Sequence, residues 1–355
     1  MQKKFLTIFI AGLLMIGCND QSESKTAQST TVSEAKTSEK TSENTSQQIA
    51  AKANKGNLWL SVFNTNFTLA EQQLTNRVSL PSTLINLDKQ VDRYLKQFQD
   101  KNGNIDYNRI KNDPTKRINL LVGSNPSPED LDDYKQLINK LIAIKPELPE
   151  LDSAGKALGD KFVELGLAYD KVAKYYTTNE YKLDELAKLP ELFNNLENAY
   201  NQYIEAEDIA LIAYDKLYKE IHAFQKAEIK NQGLMLHYNC IEFIDISEEV
   251  VALINRNFAE NNDFKNLDKS AIEPKIEQLE SIANELIANK GKTDLIKKQA
   301  LNNIYYDRFA DKLPELVNQM KVVLKDLQTA KIENEVKYLN GTLGNVIDSY
   351  NSVIN

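Results

Sequence analysis

The side chains able to do chemistry are few. His237 and Cys240 stand three residues apart, so on a helix they face the same way, a spacing compatible with two zinc ligands. Two ligands do not hold zinc. The other histidine, His222, lies 15 residues upstream, about 22 Å along a continuous helix, and joins them only if Gly233 reverses the chain. The alternative places His237 at a polar edge and Cys240 in the core as a small apolar residue. Asp100-Lys101-Asn102-Gly103-Asn104-Ile105-Asp106 alternates oxygen side chains like a calcium loop. The required glycine and glutamate positions, however, hold Ile105 and Lys111, so a polar turn accounts for it. Gly291-Lys292-Thr293 copies the end of a phosphate-binding loop, yet Leu286 stands where its first glycine belongs, and a helix stop accounts for it. Glu248-Glu249 and Asp132-Asp133 belong to a chain with 51 Asp and Glu and read as solvated helix faces. The expectation is no catalytic residue, no metal and no cofactor, hence a protein that is not an enzyme.

The strongest single signal is Cys18. Lys3 and Lys4 precede an apolar stretch from Phe5 to Ile16, the layout of a secretory signal and too short for a stable spanning helix. The stretch closes on Leu14-Met15-Ile16-Gly17-Cys18, which resembles a bacterial lipoprotein box, with Cys18 as the residue that receives the lipid, palmitate among its acyl chains. Residues 1–17 are expected to be removed, leaving a membrane-anchored chain in the periplasm. Asn19 rather than Asp follows the cysteine, which favours the periplasmic face of the outer membrane over the inner membrane. Loss of Lys3 and Lys4 takes the formal charge from -8 to -10. Nucleic acid is therefore not an expected partner, and membrane attachment should rest on acyl chains rather than on net charge.

These residues need elements to position them. Residues 18–56 are almost wholly polar and read as a disordered tether, because such a composition buries too little to offset backbone entropy. From residue 57 to 355 the spacing is helical, and with only 12 Gly and 9 Pro the composition suits helices. Leu151, Gly155, Leu158, Phe162, Leu165, Tyr169, Val172 and Tyr176 step by four and three alternately, the stripe of a long bundle helix. Similar seams run through Ile276, Leu279, Ala283 and Leu286, and through Leu313, Val317, Met320, Leu324 and Leu327. Another begins at Val336, with a break near Ile332. Leu-Pro-Glu-Leu at 148–151, 189–192 and 313–316, together with Pro274, suggests helix starts at near-equal intervals. Ser127-Pro128-Glu129-Asp130 reads as a capped start, and Asp100 to Gly123 as a long loop. The predicted fold is all-α, an elongated antiparallel bundle of long helices behind a signal peptide and tether.

The Cys18 anchor with its polar tether, and Tyr175-Tyr176 followed by Glu180-Tyr181-Lys182 and Asp184, resemble the YiiG-like family of bacterial lipoproteins. So do the long helical stretch after Pro190 and the closing Asp348-Ser349-Tyr350-Asn351-Ser352-Val353. That family is defined by a domain of unknown function. The resemblance implies a helical envelope lipoprotein and carries no catalytic residue or ligand. The function expected is non-catalytic binding or scaffolding, with an envelope protein or cell-wall partner; the alternative is a helical lipoprotein that binds a small molecule or carbohydrate.

Overall fold

The computed structural model describes residues 34–65, 67–74, 80, 82–112, 125–261, 267–327 and 332–354. Cys18 and the leader lie outside these residues, as does much of the long loop, 113–124. Among the described residues there are thirteen helices and no strand beyond one isolated bridge between Gln99 and Ile105. The all-α expectation holds. The chain divides into two compact units, one running to Ile221 and the other from His222.

The first unit opens with α1 (Glu34–Phe63), which starts inside the stretch read as tether. Over residues 34–56 the chain is therefore helical where its composition reads as tether. Ala, Glu, Lys and Gln favour helix, and the last turns of α1 are packed, with Ala53 and Lys55 buried. Lys55 looks polar in the sequence but occupies a core position. After α2 (Thr68–Leu74) and α3 (Leu87–Phe98), the presumed loop contains a short helix, α4 (Tyr107–Asn112). α5 (Pro128–Ala143) starts as expected: Asp130 N–H donates to Ser127 Oγ and Ser127 N–H to the Asp130 carboxylate, closing a capping box. Pro149 opens α6 (Pro149–Thr177), and every residue of its 4-3 seam is buried. Gly155 on that seam is required by shape, because a β-carbon there would strike the Trp59 ring. A short α7 (Glu180–Leu183) leads to α8 (Leu189–Asn231), where Pro190 sits in the first turn. Lys216–Glu150 at 2.5 Å and Lys161–Gln202 at 2.8 Å show α8 antiparallel to α6.

The second unit is a four-helix bundle of α9 (Met235–Asn261), α10 (Lys269–Ala288), α12 (Asn303–Lys325) and α13 (Ile332–Ile354), with short α11 (Thr293–Lys298) between α10 and α12. Each long helix packs on two others in a closed ring, α9 on α10, α10 on α12, α12 on α13 and α13 on α9. Contacts at 321 with 280 and 311 with 290, at 319 with 335 and 312 with 349, and at 255 with 340 and 237 with 350 make successive neighbours antiparallel. The predicted seams of α10, α12 and α13 fill its core, and the break near Ile332 is the start of α13. Pro274 and Pro314 are not helix starts. Both lie inside helices, α10 and α12, whose starts are set upstream by Asp268 and Asn302, each accepting a backbone N–H. Helices of 43, 27, 20 and 23 residues also replace the matched lengths inferred from proline spacing.

Candidate functional site

α8 ends where Gly233 adopts φ +71°, a left-handed turn that glycine enters without strain, and Leu234 N–H donates to Ile229 O to close it. The chain therefore reverses at Gly233. The reversal sets His222 and Lys226 of α8 against Glu242 and Asp245 of α9, all in the second unit. His222 Nε2 lies 2.8 Å from Asp245 Oδ1, and Lys226 Nζ is 2.6 Å from Asp245 Oδ2. Glu242 Oε2 lies 2.5 Å from Lys226 Nζ but off the hydrogen-bond line, so charge rather than a well-aligned bond holds it. Lys226 and Lys230 also stand over the Tyr238 ring, at 5.4 and 5.2 Å from its centre.

The electrostatics follow from that geometry. Burial alone would raise the Asp245 carboxyl, but His222 and Lys226 outweigh it and hold it below its ordinary value. Burial alone would lower Lys226; Asp245 and Glu242 reverse the sign. Glu248 lies one turn beyond Asp245. Burial, and then the Asp245 charge, push it up to about 7, with His222 offsetting part. The cluster's residue types also suit a metal, but both Asp245 oxygens are already engaged, one by His222 and one by Lys226, and among the described residues no group of three metal-capable side chains converges.

His237 and Cys240 do not meet His222, which turns instead to Asp245. His237 is buried with Nε2 3.4 Å from the Tyr350 hydroxyl, and burial lowers it to about 4, partly offset by the Gln299 backbone. Cys240 is wholly buried in the bundle core, where burial pushes its thiol up. Asp100 turns onto its own loop, accepting the N–H groups of Asn102 and Asn104 at 2.8 and 3.0 Å, the polar-turn reading. Gly291 follows the end of α10 in a turn. The lipidation candidate Cys18 lies outside the described residues. The two tyrosines on the α6 seam, Tyr169 and Tyr176, are core. The Tyr175 hydroxyl donates to Asp184 Oδ1 at 2.7 Å, and Asp184 also accepts Leu186 and Lys188 N–H. These bonds fix a turn in which Glu185 and Leu186 both hold positive φ. The tyrosine–aspartate motif thus closes the α6–α8 connection.

A polar site that the seams did not reveal lies in the first unit. Lys55 Nζ, with no exposed surface, donates to Asp152 Oδ2 at 2.7 Å and to the carbonyls of Ile142, Ile144 and Pro146 at 3.1, 2.8 and 3.2 Å. Trp59 Nε1 donates to Asp152 Oδ1 at 2.9 Å. The available signal was the four-residue spacing of Lys55 and Trp59, which puts them on one helix face. For the hairpin cluster it was the i,i+4 spacing of His222 and Lys226 on one side of Gly233 and the i,i+3 spacing of Glu242 and Asp245 on the other.

Residues 84–355 match the family DUF3829, described as a protein of unknown function. The chain is also 24% identical over 240 residues to the uncharacterized protein YiiG of Escherichia coli (strain K12), covering 64% of this chain and 65% of that one. It thus spans just under two thirds of the length of the curated relative it matches. No solved structure matches. With residues 84–355 matched, most of its length, the chain belongs to the DUF3829 family, a YiiG-like domain of unknown function.

Proposed function

We propose that the chain is a lipoprotein of the cell envelope, acylated at Cys18 and held at the periplasmic face of the outer membrane, whose helical body binds or scaffolds another envelope component without catalysis. The observation that carries the binding part is the pair Ile209 and Ile212 on α8. They are 60% and 64% exposed, three residues apart on one helix face, with exposed Asp208 and Lys216 nearby. Large aliphatic side chains left in water side by side gain free energy when a partner covers them, about 25 cal/mol per Å². A net charge of -8 argues against nucleic acid as that partner. Among the described residues no helix is long and apolar enough to cross a membrane; in this reading the anchor is the acylated Cys18.

A photo-crosslinking residue at Ile212 in intact envelopes should yield one discrete adduct, and Ile209→Glu should remove it. In the same cells a clickable fatty acid should label the chain and fail to label Cys18→Ser. Labelling that survives Cys18→Ser removes the lipoprotein assignment. Substrate turnover by the purified chain, with no adduct at Ile212, removes the binding assignment.

A further inference from the structure

The connection α10–α11–α12 differs from the rest of the acidic surface. Lys292, Lys297, Lys298 and Arg308 are all exposed there, and among the described residues Lys297, Lys298 and Arg308 form no ion pair. The acids around them are mostly engaged: Asp307 accepts the Gly291 N–H at 3.0 Å, and Asp311 pairs with Lys290, leaving Asp294. Interleaved with the cations are three exposed apolar side chains, Leu295, Ile304 and Tyr305, with Ile304 68% exposed. They are not a core segment that failed to fold. Ile296, Leu301 and Tyr306 from the same connection already fill the inward side. Gln299 Oε1 accepts the Leu236 N–H at 2.9 Å and Asn302 N–H donates to Val353 O at 2.6 Å, which fix the corner to α9 and α13. The outward residues are therefore surplus to the bundle and held on a rigid support.

We propose that this corner docks the bundle onto a surface of anionic lipid headgroups, with Lys297, Lys298 and Arg308 at the phosphates and Leu295, Ile304 and Tyr305 entering the headgroup–acyl boundary. Cations beside exposed aliphatic groups and an amphipathic tyrosine ring are the combination that an interfacial site requires. Net charge does not forbid it, because at physiological salt a lipid surface senses only charges within about 8 Å. This contact belongs to the body itself and does not depend on acylation of Cys18, so the two can fail separately.

The test uses the full chain with Cys18→Ser, mixed with vesicles of phosphatidylcholine alone or of phosphatidylcholine with phosphatidylglycerol, and read by co-flotation. The quantity of interest is the excess bound to anionic vesicles, since any contribution of the apolar leader is common to all variants. That excess should be present at low salt and fall at high salt. Lys297→Glu with Lys298→Glu should reduce it by at least tenfold, from roughly fivefold per lysine lost. Ile304→Ser should weaken it while leaving its salt dependence. Ile304→Trp should show a blue-shifted emission component on anionic vesicles only. No anionic excess, or an excess indifferent to the lysine reversal, overturns the proposal. So does capture of a protein that depends on Lys297 and Lys298 when vesicles do not bind.

Discussion

Glu248 and His237 sit on the same helix of the bundle and act on stability in opposite directions. His237 is neutral in the fold down to about 4 against an ordinary 6.5. Between those values the unfolded chain binds a proton that the folded chain refuses, so stability is fully present above 6.5 and falls as pH drops toward 4. At about 1.4 kcal/mol per pH unit that loss is about 3 kcal/mol. Glu248 is the reverse case: its folded value of about 7 stands above an ordinary 4.5, so its contribution is present below 4.5 and lost as pH rises through 7. Partial exposure to solvent reduces its share to about 1–2 kcal/mol. Urea unfolding across pH should then show a stability maximum on the acid side of neutrality. Glu248→Gln should raise stability by about 1–2 kcal/mol at pH 8 and leave it unchanged at pH 4, and His237→Phe should flatten the acid limb. A Glu248→Gln curve parallel to the parent would show that the carboxyl titrates as if exposed.

At the level of elements, what periodicity could reveal was the apolar side of each helix, and what it could not reveal was how polar residues join helices. The seam from Leu151 to Tyr176 was readable because each residue on it does one thing, burial. Lys55 was hidden because its type argues for solvent, and only the three carbonyls and the Asp152 carboxylate that surround it reverse that argument. The hairpin cluster was hidden too, since His222 and Asp245 are 23 residues apart and meet only because Gly233 turns the chain. Pro274 and Pro314 misled because an upstream cap decides where a helix begins. Lys55 also ties α1 to the α5–α6 connection. Lys55→Met keeps the stem but strands Asp152 and three carbonyls, and should cost about 3 kcal/mol or more in urea unfolding followed by Trp59. Lys55→Met with Asp152→Asn should lose less than the sum of the two single changes. Additive losses would mean that the two groups do not act as a pair.

For the whole molecule, the division at residue 222 matters more than the number of helices. The bundle closes a ring of four antiparallel helices around its own core, from Ile229 and Leu236 to Val353. The first unit has a separate set of buried aromatics, among them Trp59, Tyr94, Phe162 and Phe193. A chain with two cores has reason to unfold in two steps unless a shared element couples them. The shared element is α8, which runs through the boundary as one helix from Leu189 to Asn231. The sole tryptophan makes the matter decidable, because Trp59 reports the first unit alone while circular dichroism reports both. Leu339→Ala removes a wholly buried side chain from the bundle, at a cost of about 2–5 kcal/mol. We expect it to move part of the circular-dichroism transition to lower temperature and leave the Trp59 fluorescence transition in place. A Trp59 transition that moves by the same amount would show that α8 carries cooperativity across the boundary, and the two units would then count as one folding unit.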